Sequence, residues 1–134
     1  MSRESETHVR LVEATAAEIV RRHSHLYSLT VLVDLPKSGR NRPGPIGGYV
    51  PDVFALDAPE TCRIVGEAKT PLDLETKHSR HQLRAFLCHL SHFSNGCFYL
   101  SVPHFYRVRA QCLLEDDARV AGATIVTLHV LGIA

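Results

Sequence analysis

Asp52, Glu67 and Lys69 are the residues of this chain whose types and spacing can do chemistry together. Asp52 sits in Gly48-Tyr-Val-Pro-Asp-Val-Phe-Ala-Leu56, and the other two sit in Cys62-Arg-Ile-Val-Gly-Glu-Ala-Lys-Thr70. Each stretch reads as a short strand, rich in β-branched and aromatic residues and bounded by Gly, Pro and Asp. Asp57-Ala-Pro-Glu-Thr61, between them, has the composition of a turn. A hairpin centred between Pro59 and Glu60 sets Asp52 opposite Glu67, and alternation along the strand puts Glu67 and Lys69 on one face. Two carboxylates and an ammonium then converge on one patch of sheet. Adjacent carboxylates repel, so the arrangement asks for a cation between them. A hard ion such as Mg²⁺ takes oxygen ligands of this kind, commonly one or two carboxylates with waters and substrate phosphates. Held there, it would polarise a phosphoryl oxygen and lower the pKa of a water. Lys69 would orient that water or meet the charge developing on phosphate. The chemistry indicated is metal-assisted phosphodiester hydrolysis. Taken singly, each of these residues is more often a solvated surface group; the reading rests on the three together in an apolar strand pair.

These strands need elements around them. Residues 4–23 predict a first helix, with Val9, Val12, Ala16, Ile19, Val20 and His23 at helical spacing. Acids early (Glu4, Glu6) and bases late (Arg21, Arg22) suit its dipole. Leu26 to Asp34 predicts a strand, with Leu29, Val31 and Val33 on one face. The proline- and glycine-rich stretch 36–48 excludes regular structure. It carries Lys37, Arg40 and Arg42, so it reads equally as a DNA-contacting loop and as a connector. Thr70-Pro71 ends the hairpin, and Asp73 or Thr76 can cap a helix running to about Phe93. Leu83, Phe86, Leu87 and Leu90 form its buried stripe. Lys77, Arg80, His81 and Arg84 gather on another side, either a phosphate-contacting ridge or a solvated face. Gly96 to Val102 predicts a central strand. Pro103 opens a helix to about Ala118, with Phe105, Val108 and Cys112 facing inward. Thr124 to Val130 predicts the last strand, after which Gly132-Ile-Ala134 trails off. The result is an α/β sandwich: a mixed sheet of about four to five strands flanked by helices.

Pro51-Asp52 … Glu67-Ala68-Lys69 resembles the signature of the PD-(D/E)XK nuclease superfamily, which shares the restriction-endonuclease-like fold. The order helix, three strands, helix, strand, helix, strand is similar to the core of that superfamily. The resemblance implies Mg²⁺, with Mn²⁺ as substitute, bound by Asp52, Glu67 and the backbone carbonyl of Ala68, with Lys69 catalytic. Relatives often add a carboxylate from the first helix; Glu13, beside the apolar stripe, is the candidate, although solvated helix positions are commoner. Gln82 and Phe86 resemble the Q-x-x-x-Y element of some branches, which makes Gln82 an accessory candidate and leaves Phe86 without the hydroxyl. The implied activity is DNA cleavage by a homodimer or a subunit of a larger nuclease assembly. The alternative is a catalytically silent nuclease-like module that binds nucleic acid or a protein.

The chain has 134 residues, 45% hydrophobic and 22% charged, as a single soluble domain would have. No stretch approaches the ~20 apolar residues of a membrane span. The charged start Met-Ser-Arg-Glu-Ser-Glu-Thr-His and the scattered Cys62, Cys88, Cys97 and Cys112 predict a cytoplasmic protein with reduced thiols. A net charge of +1 argues against strong non-specific attraction to DNA, so any basic footprint is local. His78, His81, His89 and His92 match no established zinc spacing. No Gly-rich phosphate loop or Ser-His-Asp spacing supports a small-molecule enzyme.

Overall fold

The hairpin folds with the register its sequence predicts. In the computed structural model, which describes residues 6–134, β2 (Val53–Leu56) pairs antiparallel with β3 (Arg63–Ala68), Val53 opposite Gly66 and Phe54 opposite Val65. Around it lie α1 (Glu6–Arg22), β1 (Thr30–Val33), α2 (Pro71–Leu74), α3 (Lys77–Leu90), β4 (Gly96–Pro103), α4 (Arg107–Val120) and β5 (Thr127–Ile133). The sheet runs β1-β2-β3-β4-β5, antiparallel over the first three strands and parallel over the last three. The chain is thus an α/β protein with a mixed five-stranded sheet between helices. Among the described residues, no helix is long and apolar enough to cross a membrane.

Strand alternation divides the core. Ile64 and Ala68 face α1, where they pack with Leu11, Val12, Ile19, Val53, Ala55 and Tyr99. Val65 faces the other way, into a cluster with Leu83, Phe86, Leu87, Leu90, Phe98, Leu100 and Leu114 from α3, β4 and α4. Gly66 lets α1 lie close to the sheet. A Cβ there would come within 2.7 Å of Thr15 Cγ2. Beside this contact the buried Thr15 hydroxyl donates to Leu11 O and meets Ser101 Oγ, each at 2.6 Å.

Several predicted boundaries and faces move. The start of the predicted first helix, with Glu4, lies outside the described residues. The buried face of α1 is Leu11, Val12, Thr15 and Ile19, while Val20 is exposed. β1 is four residues long, and Leu29, Val31 and Val33 pack inward as predicted. Stretch 36–48 holds one 3₁₀ turn, Pro36–Ser38. Thr76 caps α3, its side chain accepting from the Ser79 N–H. The larger correction is α4. Phe105, Val108 and Cys112 are exposed, and Ala110, Leu113, Leu114, Asp117 and Ala118 face inward. A 3₁₀ turn at His104–Tyr106 delays the helix and resets its phase. At its far end Gly122 (φ 68°) closes a Schellman turn, with the Ala123 N–H bonded to Ala118 O at 2.8 Å. That turn pushes β5 downstream, so Gly132 pairs with Val102 inside the strand rather than trailing off.

Candidate functional site

The register of β2 and β3, carried one step outward, brings Asp52 to Glu67. Asp52 lies just before β2, its backbone fixed by a bond from the Asp34 N–H to Asp52 O at 2.8 Å. The two acids then brace each other through the main chain. The Asp52 N–H donates to Glu67 Oε1 at 2.8 Å, and the Ala68 N–H donates to Asp52 Oδ2 at 2.8 Å. Each carboxylate has one oxygen fixed by a backbone donor and a second turned towards a cationic or ionisable group. Glu67 Oε2 lies 3.5 Å from Lys69 Nζ, and Asp52 Oδ1 lies 3.5 Å from His8 Nε2. Lys69 is held from both ends. Its N–H donates to Ser101 O at 3.0 Å, and its ammonium donates to Gln82 Oε1 at 2.5 Å.

Glu67 is 1% exposed, which decides its electrostatics. Burial pushes its carboxyl well above the usual carboxylate range, and the neighbouring Asp52 charge adds to the rise. Lys69 and the Asp52 N–H oppose it. A buried acid beside a second acid gains from added positive charge. Among the described residues, no three His, Cys, Asp or Glu side chains gather in a way that would hold a metal ion. Asp52, Glu67 and the Ala68 carbonyl nevertheless suit a hard cation such as Mg²⁺, which is commonly held by one or two carboxylates and keeps several waters. Three of the histidines of α3 and its following turn have other partners, and His81 is exposed. His78 packs edge-on to Tyr49, His89 meets Arg63, and His92 bonds the Cys88 carbonyl.

Glu13 is exposed on α1 and forms a close ion pair with Lys37. The residue of α1 that reaches Asp52 is His8. Nothing local marks His8 in the sequence, because its role depends on where the helix start lies against a loop 44 residues later. The basic residues also find partners. Arg80 and Arg84 both bond the fully buried Asp117, and Arg80 adds Asp116. Two arginines around a buried carboxylate fasten α3 to α4. Arg42 lies 3.8 Å from Asp34. Arg40 and Lys77 are exposed. Comparison with protein-family models, with curated proteins and with solved structures finds no match.

Proposed function

We propose that this domain is a metal-dependent nuclease of restriction-endonuclease-like fold that hydrolyses phosphodiester bonds in DNA. The supporting observation is the mutual bracing of Asp52 and Glu67 at the end of β3, with Lys69 beside them and Gln82 holding Lys69. Asp52, Glu67 and the Ala68 carbonyl would hold Mg²⁺ or Mn²⁺. When bound, the ion supplies Lewis-acid polarisation of a phosphoryl oxygen. The chain's own residues do the rest. The two backbone bonds fix the carboxylates before substrate arrives, so little reorganisation is needed at the moment of reaction. Lys69 brings a positive charge to the position where water attacks and phosphate charge develops. Gln82 orients Lys69 through its amide oxygen. Glu13 is carried as an accessory acid that would exchange Lys37 for the site.

The test is DNA cleavage with Mg²⁺ or Mn²⁺ and none with EDTA. Glu67→Ala should lose both metal affinity and cleavage. A Glu67→Ala protein that cleaves as fast as the parent would remove the site from consideration.

One observation favours a second reading, a catalytically silent module that binds nucleic acid or protein. Each carboxylate already spends an oxygen on a backbone N–H, and no third acid joins them among the described residues. Mg²⁺ titration separates the two readings, since the silent module would not bind it. We also propose that the domain works as a homodimer or with a partner in a larger assembly. A net charge of +1 and arginines committed to Asp117 leave few contacts for phosphate, and pairing two copies doubles them. Sedimentation and a salt titration of DNA binding test this. A monomer that binds duplex tightly with a steep salt slope would overturn it.

A further inference from the structure

At the other end of β3, on the same face as Glu67 and about 13 Å along the strand, lies a separate pocket of about 230 Å³. Gly44, Pro45, Ile46, Phe54, Arg63 and His89 line it. We propose that this pocket binds a phosphate group.

Arg63 carries the argument. Its guanidinium lies over the ring of Phe93, 4.1 Å from the centroid, and 5.6 Å from that of Phe54. Aromatic faces therefore hold the cation in place, where a carboxylate would ordinarily do so. Its one acidic contact among the described residues, Glu60, is 4.0 Å away, at the limit of an ion pair, and that side chain is largely exposed. The NH1 group meets His89 Nε2 at 3.2 Å. An arginine can only donate, so His89 accepts there and carries its own proton on Nδ1. Burial and the charge of Arg63 both push the His89 pKa down, which keeps the ring neutral and suited to accept. The remaining feature is Arg63 Nε. It is buried, and among the described residues it has no hydrogen-bond partner. A buried unpaired donor is costly, and one on a charged group more so.

An oxyanion supplies the acceptor that Arg63 lacks; Nε is closed to solvent here, so a small turn of the side chain must present it to the pocket. Arg binds phosphate through two parallel N–H groups, with both charge and geometry matched. The pocket has room for a phosphate group, and its lining of one arginine and one histidine among apolar groups suits a single anion. Its wall of Gly44, Pro45 and Ile46 belongs to the loop that also carries Lys37, Arg40 and Arg42. The phosphate can come from a nucleic-acid backbone or from free phosphate; the recognising chemistry is the same.

The experiment follows the Arg63 Nε–H resonance by NMR during titration with inorganic phosphate, and separately with a short single-stranded oligonucleotide, both in EDTA. The phosphate arm is independent of the metal site, so its failure and the failure of the nuclease reading are distinct results. Phosphate should shift the resonance saturably. Gly44→Asp places a carboxylate at the pocket wall, where a Cβ meets nothing within 4 Å. It should weaken binding by at least about tenfold, while Gly44→Ala leaves it unchanged. Arg63→Lys keeps the charge, loses the fork, and should also weaken binding. If the oligonucleotide moves the same resonance, the source is a phosphodiester; if only inorganic phosphate does, it is free phosphate. A shift that chloride reproduces, the absence of any saturable shift, or unchanged affinity in Gly44→Asp overturns the proposal.

Discussion

The β2–β3 hairpin carries a buried carboxylate near each end, and the two are opposites. At the turn, Asp57 is 3% exposed and saturated with donors. The Thr61 hydroxyl bonds Oδ2 at 2.5 Å, and the N–H groups of Thr61 and Cys62 bond Oδ1 at 2.8 and 3.0 Å. The Thr61 hydroxyl first, then the backbone donor of Cys62, hold its pKa below the usual carboxylate range. At the open end, Glu67 has one backbone donor and one ammonium, faces a second acid, and has its pKa pushed up. One hairpin thus builds a carboxylate that is content to be charged and another that is not. Donor supply makes the difference: a tight turn offers converging N–H groups, whereas at the open end the Ala68 N–H goes to Asp52 and Glu67 is left with one backbone donor. An acid that the fold leaves under-supplied is the place to look for an external cation.

The largest expected effects test that contrast directly. Glu67→Ala should abolish Mg²⁺-dependent cleavage, whereas Asp57→Ala should spare cleavage by the folded protein and lower Tm by opening the turn. Reversal of these two outcomes would end the comparison. Next, Lys69→Ala should keep Mg²⁺ affinity by calorimetry while the rate falls on the order of a hundredfold to a thousandfold. Gln82→Ala, which only frees Lys69, should cost about tenfold.

The pH dependence of stability in EDTA then sharpens the contrast, because the two acids act with opposite sign. Asp57 has a lowered folded-state pKa. Its stabilisation is present above the unfolded value and lost as pH falls through the folded value, so Asp57→Asn should flatten the acid limb of Tm against pH. Glu67 has a raised folded-state pKa. Its contribution is full below the unfolded value and lost as pH rises through the folded value. Glu67→Gln, which still offers an oxygen to the Asp52 N–H, should therefore raise Tm at neutral pH and not in acid. The same sign for both variants would contradict the assignment. The smallest effect concerns α1. Glu13→Gln should lower cleavage severalfold with Tm nearly unchanged, since exposed ion pairs contribute roughly 1 kcal/mol or less. Glu18→Gln is the control, because Arg21 and Arg22 hold Glu18 at a pKa of about 2. Equal activity in Glu13→Gln would return that residue to its pair with Lys37.

The hairpin register was legible because it depends on a turn and two adjacent strands, all within reach of local pattern. So was the stripe of α3, where Leu83, Phe86, Leu87 and Leu90 leave no competing face. α4 was misread because two phases compete there. Phe105 and Val108 are more apolar to the eye than Ala110 and Asp117, but a 3₁₀ turn, invisible in composition, fixes the phase, and the Asp117 face meets Arg80 and Arg84. The arginines illustrate the same limit. On α3 alone they make a basic ridge; their partners lie 33 to 37 residues away on α4. His8 and the Arg63 pocket were out of reach for the same reason, since each exists only once distant segments have packed.

The tight seat of α1 on Gly66 bears on where motion is available. β3 is paired with β2 as far as Gly66 and with β4 along its length, and it is covered on both faces, so the amide protons it gives to the sheet should exchange with solvent only when the whole domain unfolds. Asp52 stands outside β2, at the end of a proline- and glycine-rich stretch held by the Asp34 bond and a short bridge between Ile46 and Tyr49. Asp52 is nevertheless tied to β3, through its own N–H on Glu67 and the Ala68 N–H on its carboxylate, so the two acids stand as one rigid unit. Any opening that admits or releases a bound molecule is then a movement of the 36–48 stretch away from an acid pair that stays still.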